Sequence, residues 1–233
     1  MAGRVEYIGN ATLYLGDCLE VLRGLRDGCQ NGDVSVEQGR GAGNDLKTRT
    51  FHVDAVITDP PFGVGNFVQI TGDLRGDEVT WNESGPPQEW FDIIRSISTH
   101  RIIWGANFFN CFEKNGGAIV WDKVQPMPNF SKCDIASSSH LKKTEMVRIP
   151  WAGWSAKQVT MHPCERPPQL YQWCINYLPT ADEVLDPYMG SGTCGVACMN
   201  LGRKFIGIEI EPKYFDISCE RITNAQRQER LFA

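Results

Sequence analysis

The sequence predicts a doubly wound α/β fold around a mostly parallel sheet. Short apolar segments alternate along the chain with longer segments that have apolar residues at helical spacing. Residues 53–58 and 183–186 are rich in apolar residues, which is typical of parallel strands buried on both faces. Residues 90–97 and 191–201 have the helical pattern, and we find no internal repeat.

The remaining strands follow from the same pattern. They are predicted at residues 13–15, 100–104, 117–121 and 205–209. Residues 145–150 are predicted to form an edge strand, because Pro150 cannot donate a hydrogen bond to a central ladder.

Further helices are predicted at residues 18–25 and 166–177. A last helix begins at Pro212, a favoured residue for the first helical position, and has Phe215, Cys219 and Ile222 on one face. Residues 28–50 are glycine-rich and predict a flexible surface insertion, whereas residues 63–87 predict a long loop beside a strand end.

Composition narrows the function classes. The 233 residues are 42% hydrophobic and 22% charged, which is typical of one large globular domain or two small ones. No run of about 18 apolar residues predicts a membrane span. The first residues lack an apolar signal core, so we expect a cytoplasmic protein. The nine cysteines include no C-x-x-C pair, and we predict no metal site.

The net charge of −5 does not favour nucleic-acid binding, but basic residues cluster in the middle third of the chain. The cluster comprises Lys132, Lys142, Lys143, Arg148, Lys157 and Arg166, with Trp151 and Trp154 among them. Basic groups with interleaved aromatic rings suit phosphate contact and base stacking. A solvated face above two core tryptophans explains the same pattern.

The most informative segment is Asp59-Pro60-Pro61-Phe62, which follows a predicted strand. Ligands of open α/β sheets bind at the carboxyl ends of the strands. Two prolines stiffen this turn, so it presents a carboxylate, the Pro60 carbonyl and an aromatic ring. This set suits a flat ring with an amino group. The carboxylate and the Pro60 carbonyl can accept hydrogen bonds from both amine hydrogens, while Phe62 stacks on the face of the ring. A proline-rich turn that only ends the strand is the alternative.

A second candidate site lies near the end of the chain. Residues 186–195 contain the pattern G-x-G-x-x-G between a strand and a helix, and Glu209 ends the next strand. The glycines of such a loop let a ligand approach the backbone, and Glu209 can accept hydrogen bonds from ribose hydroxyls. The pattern alone fits NAD or S-adenosylmethionine. Asp186 at the turn repels a pyrophosphate and attracts a sulfonium, which favours S-adenosylmethionine.

Together, the proline turn and the segment Asp186-Pro187-Tyr188-Met189-Gly190-Ser191-Gly192-Thr193 resemble the amino-group DNA methyltransferases. The order, with the catalytic motif first, resembles their β group, whose Rossmann-like sheet is circularly permuted. Gly16-Asp17 resembles the segment whose acid binds the cofactor's adenine amine. His162-Pro163-Cys164-Glu165-Arg166-Pro167 is similar to the family's His-Pro-x-x-Lys/Arg-Pro motif before the cofactor helix, and Gly207-Ile208-Glu209 to its ribose-binding strand.

The resemblance implies one catalytic domain over residues 1–233. Its target-base half is residues 1–150, with the insertion at 28–50, and its cofactor half is residues 151–233. The implied catalytic residues are Asp59, Pro60, Pro61 and Phe62. The implied cofactor-binding residues are Asp17, His162, Arg166, Asp186, Tyr188, Gly190, Ser191, Gly192, Thr193 and Glu209.

The sequence departs from the family in several places. Phe62 replaces a more usual Tyr, Cys164 replaces a frequent Thr, and residues 28–50 have no recognised counterpart. No sizeable target-recognition domain is present, since only residues 151–161 precede the His-Pro motif. Base reading is therefore expected from residues 63–87, from residues 123–143 or from a partner subunit.

The predicted reaction is methyl transfer from S-adenosylmethionine to adenine N6 in DNA, on a base flipped out of the helix. Asp at position 59 favours adenine by the same resemblance. The alternatives are an N4-cytosine methyltransferase, an NAD-dependent oxidoreductase and a non-catalytic DNA-binding module; RNA or a protein glutamine is a further conceivable substrate. The oxidoreductase leaves Asp59 unexplained, and the binding module leaves the cofactor motif unexplained.

The predicted partner is DNA, and a homodimer is left open. Residues 228–232 resemble the Gln-x-x-Leu-Phe peptides that dock on bacterial sliding clamps, so Leu231 and Phe232 are candidate anchors in a groove. Simple packing of these two side chains against the core is the alternative.

Overall fold

The computed structural model describes residues 3–31, 50–63, 84–125, 131–151 and 165–232. The strands in these ranges are β1 (Arg4–Ile8), β2 (Ala11–Leu15), β3 (Val53–Thr58), β4 (Ser98–Trp104), β5 (Gly117–Asp122), β6 (Cys133–Ser138), β7 (Thr144–Arg148), β8 (Glu183–Asp186) and β9 (Lys204–Glu209). The helices are α1 (Cys18–Asn31), α2 (Gln88–Ile97), α3 (Ala106–Phe109), α4 (Pro168–Asn176), α5 (Thr193–Asn200) and α6 (Pro212–Phe232).

The strands form one sheet in the order β1-β2-β9-β8-β3-β4-β6-β5-β7. The five strands from β2 to β4 in this order are parallel to one another. Strand β6 is antiparallel to both of its neighbours, and β1 is antiparallel to β2. Among the residues that the structure describes, β7 pairs only with β5 and ends the sheet, which confirms the edge strand predicted from Pro150.

Helices pack against both faces of the sheet, as the doubly wound prediction requires. In β3, Ala55 and Ile57 belong to one hydrophobic cluster, to which α4, α5 and α6 contribute. Val56 points to the opposite face and joins a second cluster, to which α1 and α2 contribute. Burial on both faces is the physical reason that this strand is nearly all apolar.

The parallel pairing brings distant segments of the chain together. Strand β3 lies beside β8, with Val56 opposite Leu185, and β8 lies beside β9, with Asp186 opposite Gly207. Strand β2 lies on the other side of β9, with Leu15 opposite Glu209. The segments that follow these four strands therefore meet at one edge of the sheet.

Several boundaries differ from the sequence prediction. Helix α1 continues to Asn31, so the insertion predicted from residue 28 begins later, and residues 32–49 lie outside the described part. Helix α4 begins at Pro168 rather than at residue 166, because two prolines suit the start of a helix and not its interior.

Strands β1 and β6 were not predicted. Both are rich in polar or small residues, and their pairing with flanking strands keeps them in the sheet. Within the described ranges, no helix is both long enough and apolar enough to cross a membrane.

Candidate functional site

The proline turn begins where β3 ends. Asp59 follows Thr58 directly, and its side chain is 17% exposed. The Thr58 hydroxyl donates a 2.7 Å hydrogen bond to the Asp186 carboxylate, which ties this strand end to that of β8. Pro60 is buried, whereas Pro61 and Phe62 are half-buried. The turn is thus held against the glycine-rich segment that follows β8.

Phe62 belongs to an aromatic group built by the segment after β4. Its ring stacks on Phe108 with centroids 4.7 Å apart and an interplanar angle of 17°. Phe109 approaches the same ring edge-on at 6.0 Å. Gly105 has a φ of 75°, and a Cβ there would lie 2.3 Å from Phe62 Cε1. A glycine at position 105 is therefore required for Phe62 to occupy this place.

The glycine-rich segment after β8 is fixed by Glu209. The Gly190 N–H donates to one Glu209 carboxylate oxygen at 2.9 Å, and the Glu211 N–H donates to the other at 2.8 Å. Gly192 has a φ of 77°, and a Cβ there would lie 2.7 Å from the Ser218 Cβ. This glycine lets α5 begin close to α6.

These segments enclose a cavity of about 370 Å³, within the range of small-molecule sites. Its walls include residues 16–19 after β2, Asp59 and Pro61, residues 84–87, and Pro187, Tyr188 and Gly190; residues 208–211 and Tyr214 complete them. Three predicted site carboxylates, Asp17, Asp59 and Glu209, line this cavity. Asp59 and Gly190, which are far apart in sequence, therefore share one cleft.

Burial dominates the electrostatics of two of the carboxyl groups. It raises the pKa of Glu209 to about 7, although the N–H groups of Glu211 and Gly190 oppose the rise. Burial likewise raises the pKa of Asp186 to about 7, against the hydrogen bond from Thr58. A cationic ligand would favour the ionised forms of such carboxyl groups.

Asp17 also has a structural role. Its carboxylate accepts a 2.9 Å hydrogen bond from the Glu20 N–H and so caps α1. Tyr188 lines the cavity beside Cys18, and burial raises the pKa of the Cys18 thiol to about 12. Cys18, Tyr214 and residues 84–87 also line the cavity but belong to none of the sequence motifs. Only Gly85-Pro86-Pro87 carries a recognisable signal, that of a turn.

Other predicted residues do not face the cavity. Ser191 and Thr193 are buried, and Arg221 of α6 donates hydrogen bonds to the Ser191 hydroxyl at 2.6 Å and to the Thr193 hydroxyl at 3.3 Å. Arg221 also pairs with Glu165 at 2.7 Å. Ser191, Gly192 and Thr193 therefore hold the loop in place behind the cavity. His162 lies outside the described residues.

Arg166 does not line the cavity, although the family resemblance predicts a cofactor-binding role for it. Its guanidinium donates two hydrogen bonds to the Asp59 carboxylate and one to the Asp134 carboxylate. Its side chain is 4% exposed. The expected surface of basic residues thus loses one member, because Arg166 is buried and paired.

Other members of the predicted basic cluster have partners within the protein or lie outside the described residues. Lys143 pairs with Glu145, Arg148 pairs with Asp122, and Lys142 donates to the Asn115 carbonyl. Lys157 and Trp154 lie outside the described residues.

Comparisons with known proteins identify the family and the fold of this chain. A family model described as a DNA methylase, of the N6/N4 type, matches residues 105–220. The type II methyltransferase M.HpaI of Haemophilus parainfluenzae is 41% identical in an alignment 216 positions long, which covers 73% of this chain and 68% of that protein. M.HinfI of Haemophilus influenzae is 26% identical in an alignment 235 positions long, which covers 73% of this chain.

The chain spans 63% of the length of M.HinfI, and 56% and 55% of two further curated relatives. A solved structure of the cytosine-N4-specific PvuII DNA methyltransferase has a TM-score of 0.58 at 15% identity, with 98% of this chain and 96% of that chain covered. The PvuII enzyme and this chain therefore share one fold. With the M.HpaI relationship, these findings show that the chain belongs to the N6/N4 DNA methylase family.

Proposed function

We propose that this protein transfers a methyl group from S-adenosylmethionine to the exocyclic N6 of adenine in DNA. The observation that carries the proposal is the shared cavity, in which Asp59 of the proline turn lies in one wall and Gly190 and Glu209 lie in another. A base amine held at Asp59 and a methyl donor held at Glu209 would then meet within one small-molecule site.

The residues of the cavity fit S-adenosylmethionine. Asp17 would accept a hydrogen bond from the adenine amine of the cofactor, and Glu209 would accept hydrogen bonds from its ribose hydroxyls. The carboxylates Asp17, Asp59 and Glu209 face a common space that suits a cationic ligand. When bound, this cofactor supplies a methyl group on a positively charged sulfur, which is already activated for transfer.

The proline turn would hold the target base. Asp59 and the Pro60 carbonyl would accept the two hydrogens of adenine N6, which favours a pyramidal nitrogen with a lone pair directed at the methyl group. Phe62 would stack on the base, a contact worth about 1–3 kcal/mol in comparable sites. That contact offsets part of the few kcal/mol needed to flip the base. Asp59 would then take the surplus proton from the methylated nitrogen.

The direct test incubates the purified protein with DNA and labelled cofactor and maps the modified bases. N6-methyladenine at a defined sequence supports the proposal. N4-methylcytosine would instead support the main alternative, since the same turn can hold a cytosine amine; the choice of adenine rests on the family resemblance at position 59. Absence of labelled DNA bases with an intact cofactor site would contradict both.

An NAD-dependent oxidoreductase is less well supported. The carboxylates that line the cavity disfavour a pyrophosphate, and this function leaves the proline turn unexplained. Binding of S-adenosylhomocysteine but not NAD in a titration would separate the two cofactors. A non-catalytic DNA-binding module would require no preserved cofactor cavity.

We further propose one catalytic domain with the circularly permuted order of the β group. In chain order, the proline turn after β3 precedes the glycine-rich segment after β8, which supports the permuted order. Site-specific methylation as part of restriction-modification fits the type II methyltransferase relatives. Base reading is assigned to residues 63–87 and 123–143. Of these, residues 64–83 and 126–130 lie outside the described part, and β6 occupies residues 133–138.

Partners besides DNA are also proposals. A sliding clamp would bind residues 228–232, and a homodimer would supply missing base contacts. The backbone of α6 is helical through Phe232, but the side chains of Leu231 and Phe232 lie outside the description. A pull-down of the clamp with and without the last five residues tests the first idea. Sedimentation of the protein with and without DNA tests the second.

A further inference from the structure

The carboxylate of Asp59 lies at one end of a buried chain of alternating charges. Arg166 Nε donates to Asp59 Oδ2 at 2.7 Å, and Arg166 Nη2 donates to Asp59 Oδ1 at 2.5 Å. Arg166 Nη1 donates to Asp134 Oδ2 at 2.7 Å. Lys123 Nζ lies 2.7 Å from the other Asp134 oxygen, so the order is Lys123, Asp134, Arg166, Asp59.

This row of four charged side chains is shielded from water and has a fixed geometry. The four side chains are between 4% and 17% exposed. The Arg166 guanidinium carbon lies 4.8 Å from the centroid of the Trp104 ring and 5.3 Å from that of Trp121. Two parallel N–H···O hydrogen bonds from one guanidinium fix the plane of a carboxylate. A lysine ammonium cannot fix that plane, because it has no planar pair of donors.

We infer that Arg166 is a positioning residue, which fixes the plane of the Asp59 carboxylate and leaves its outer lone pairs directed into the cavity. The inference rests on the proposed methyl transfer and reassigns Arg166 from the cofactor to the catalytic turn. Arg166 holds the inner side of both Asp59 oxygens, while Asp59 still lines the cavity. A base amine would therefore meet a carboxylate already oriented to accept its hydrogens.

The neighbouring residue extends this arrangement to the cofactor side. Glu165 pairs with Arg221, which also binds the Ser191 and Thr193 hydroxyls of the glycine-rich segment. Adjacent residues of opposite charge thus connect the cofactor segment to the catalytic turn. Such a link keeps the two reacting groups in register, and a misplacement of about 1 Å can cost about 10²-fold in rate.

The charges around Asp59 predict opposite effects for two substitutions. The charged and titratable groups that act on Asp59 are Arg166, Asp134, Lys123, Tyr171 and Asp186. Burial raises the pKa of Asp59, Arg166 opposes that rise and Asp134 adds to it. Loss of the Arg166 charge, as in Arg166→Gln, should therefore move the acidic limb of the kcat profile to higher pH. Loss of the Asp134 charge should move that limb to lower pH.

The experiment compares Arg166→Lys, Arg166→Gln and Asp134→Asn with the unchanged protein and with Arg4→Gln. Arg4 also pairs with an aspartate, Asp216, at 2.7 Å, but its side chain is 46% exposed and lies outside the proposed site, so it serves as the control. Methyl transfer is measured against pH at saturating DNA, and S-adenosylhomocysteine affinity is measured by calorimetry. We expect about a 10²-fold lower kcat for both Arg166 variants with near-normal cofactor affinity. The acidic limbs of Arg166→Gln and Asp134→Asn should be displaced in opposite directions.

Other outcomes overturn the inference. A large loss of cofactor affinity with an unmoved pH limb would return Arg166 to the cofactor site. A limb that moves in the same direction for Arg166→Gln and Asp134→Asn would mean a general structural effect. If Arg166→Gln does not fold, Arg166→Lys keeps the charge but loses the two parallel hydrogen bonds, so a lower kcat with near-normal cofactor affinity in that variant decides. Failure of the unchanged protein to methylate DNA refutes the proposed function, whereas normal kinetics of the Arg166 variants refute only this inference.

Discussion

Asp59 is the residue on which the proposed chemistry depends. It is the carboxylate that faces the cavity from the proline turn, and Arg166 holds its inner side. Its role is separate from that of Glu209, which binds the backbone of the glycine-rich segment. Because the two acids line different walls, substitutions should affect catalysis and cofactor binding independently.

Replacement of Asp59 should abolish methylation without loss of the cofactor. For Asp59→Ala we expect a fall in kcat of about 10³-fold or more, since the main acceptor of the amine hydrogens is lost. S-adenosylhomocysteine titration should give an affinity close to that of the unchanged protein. Asp59→Asn is the matched variant, because it keeps the shape and one oxygen. An equal loss of affinity and rate would refute the separation of roles.

Glu209 should make cofactor affinity depend on pH. Its pKa is about 7 in the folded protein because of burial, and ribose hydroxyls would bind best to the ionised carboxylate. Cofactor binding should therefore release a proton, and affinity should rise about tenfold between pH 6 and 8. Isothermal titration in buffers of different ionisation enthalpy measures both quantities.

Variants of two neighbouring acids provide the control for this pH dependence. Glu209→Gln should bind the cofactor more weakly and lose the pH dependence, whereas Glu211→Gln, at the exposed rim of the cavity, should keep it. A pH dependence that survives in Glu209→Gln would assign the titration to another group such as Asp186, whose pKa burial also raises to about 7.

Among the secondary structure elements, α3 is short but determines the surroundings of Phe62, the proposed base-stacking residue. Its four residues, with Gly105 before them, place Phe108 and Phe109 around the ring of Phe62. Phe108 is 52% exposed, so this aromatic group reaches the surface beside the cavity. The proline turn therefore obtains its rigidity partly from a second element, which follows the neighbouring strand β4.

Gly105→Ala should displace Phe62 and weaken productive binding of the base. The added Cβ would clash with the Phe62 ring and would strain a backbone with a φ of 75°; such strain costs about 1–3 kcal/mol. We expect kcat/KM for DNA to fall about tenfold or more, as for Phe62→Ala. Cofactor affinity should not change.

A matched control for this substitution lies in α1. Gly24→Ala meets no heavy atom within 4 Å and should stabilise the helix by about 1 kcal/mol. Steady-state kinetics and thermal unfolding distinguish the two variants. Normal kinetics in Gly105→Ala would remove Phe62 and α3 from the base site.

At the level of the whole protein, the sheet joins the two halves of the site. Residues from both halves line one cavity, so a ligand there binds only the folded chain. S-adenosylhomocysteine at 100 times its Kd should stabilise the protein by about 2.7 kcal/mol, or roughly 5–10 °C in Tm for a chain of this size. NAD should have no effect, and scanning calorimetry with each ligand gives the comparison. A shift with NAD alone would support the oxidoreductase.

The sequence by itself determined much of this protein. The apolar runs predicted the parallel core strands, because burial on both faces leaves no room for polar alternation. The proline turn and the glycine-rich segment were identified as strand-end motifs, and both lie at the carboxyl edge of the sheet. The edge position of β7 followed from a single proline.

Tertiary structure decided the rest. Strand β6 is stabilised by pairing with its neighbours rather than by its own composition, so its local sequence pattern could not predict it. The contact between Arg166 and Asp59 joins residues 107 positions apart, so the sequence could not reveal it, and the family resemblance of residues 162–167 placed Arg166 with the cofactor. Ser191 and Thr193 belong to a matching motif but turn toward Arg221. Motifs locate a site in the chain, but the direction of each side chain depends on neighbours that only the folded sheet supplies.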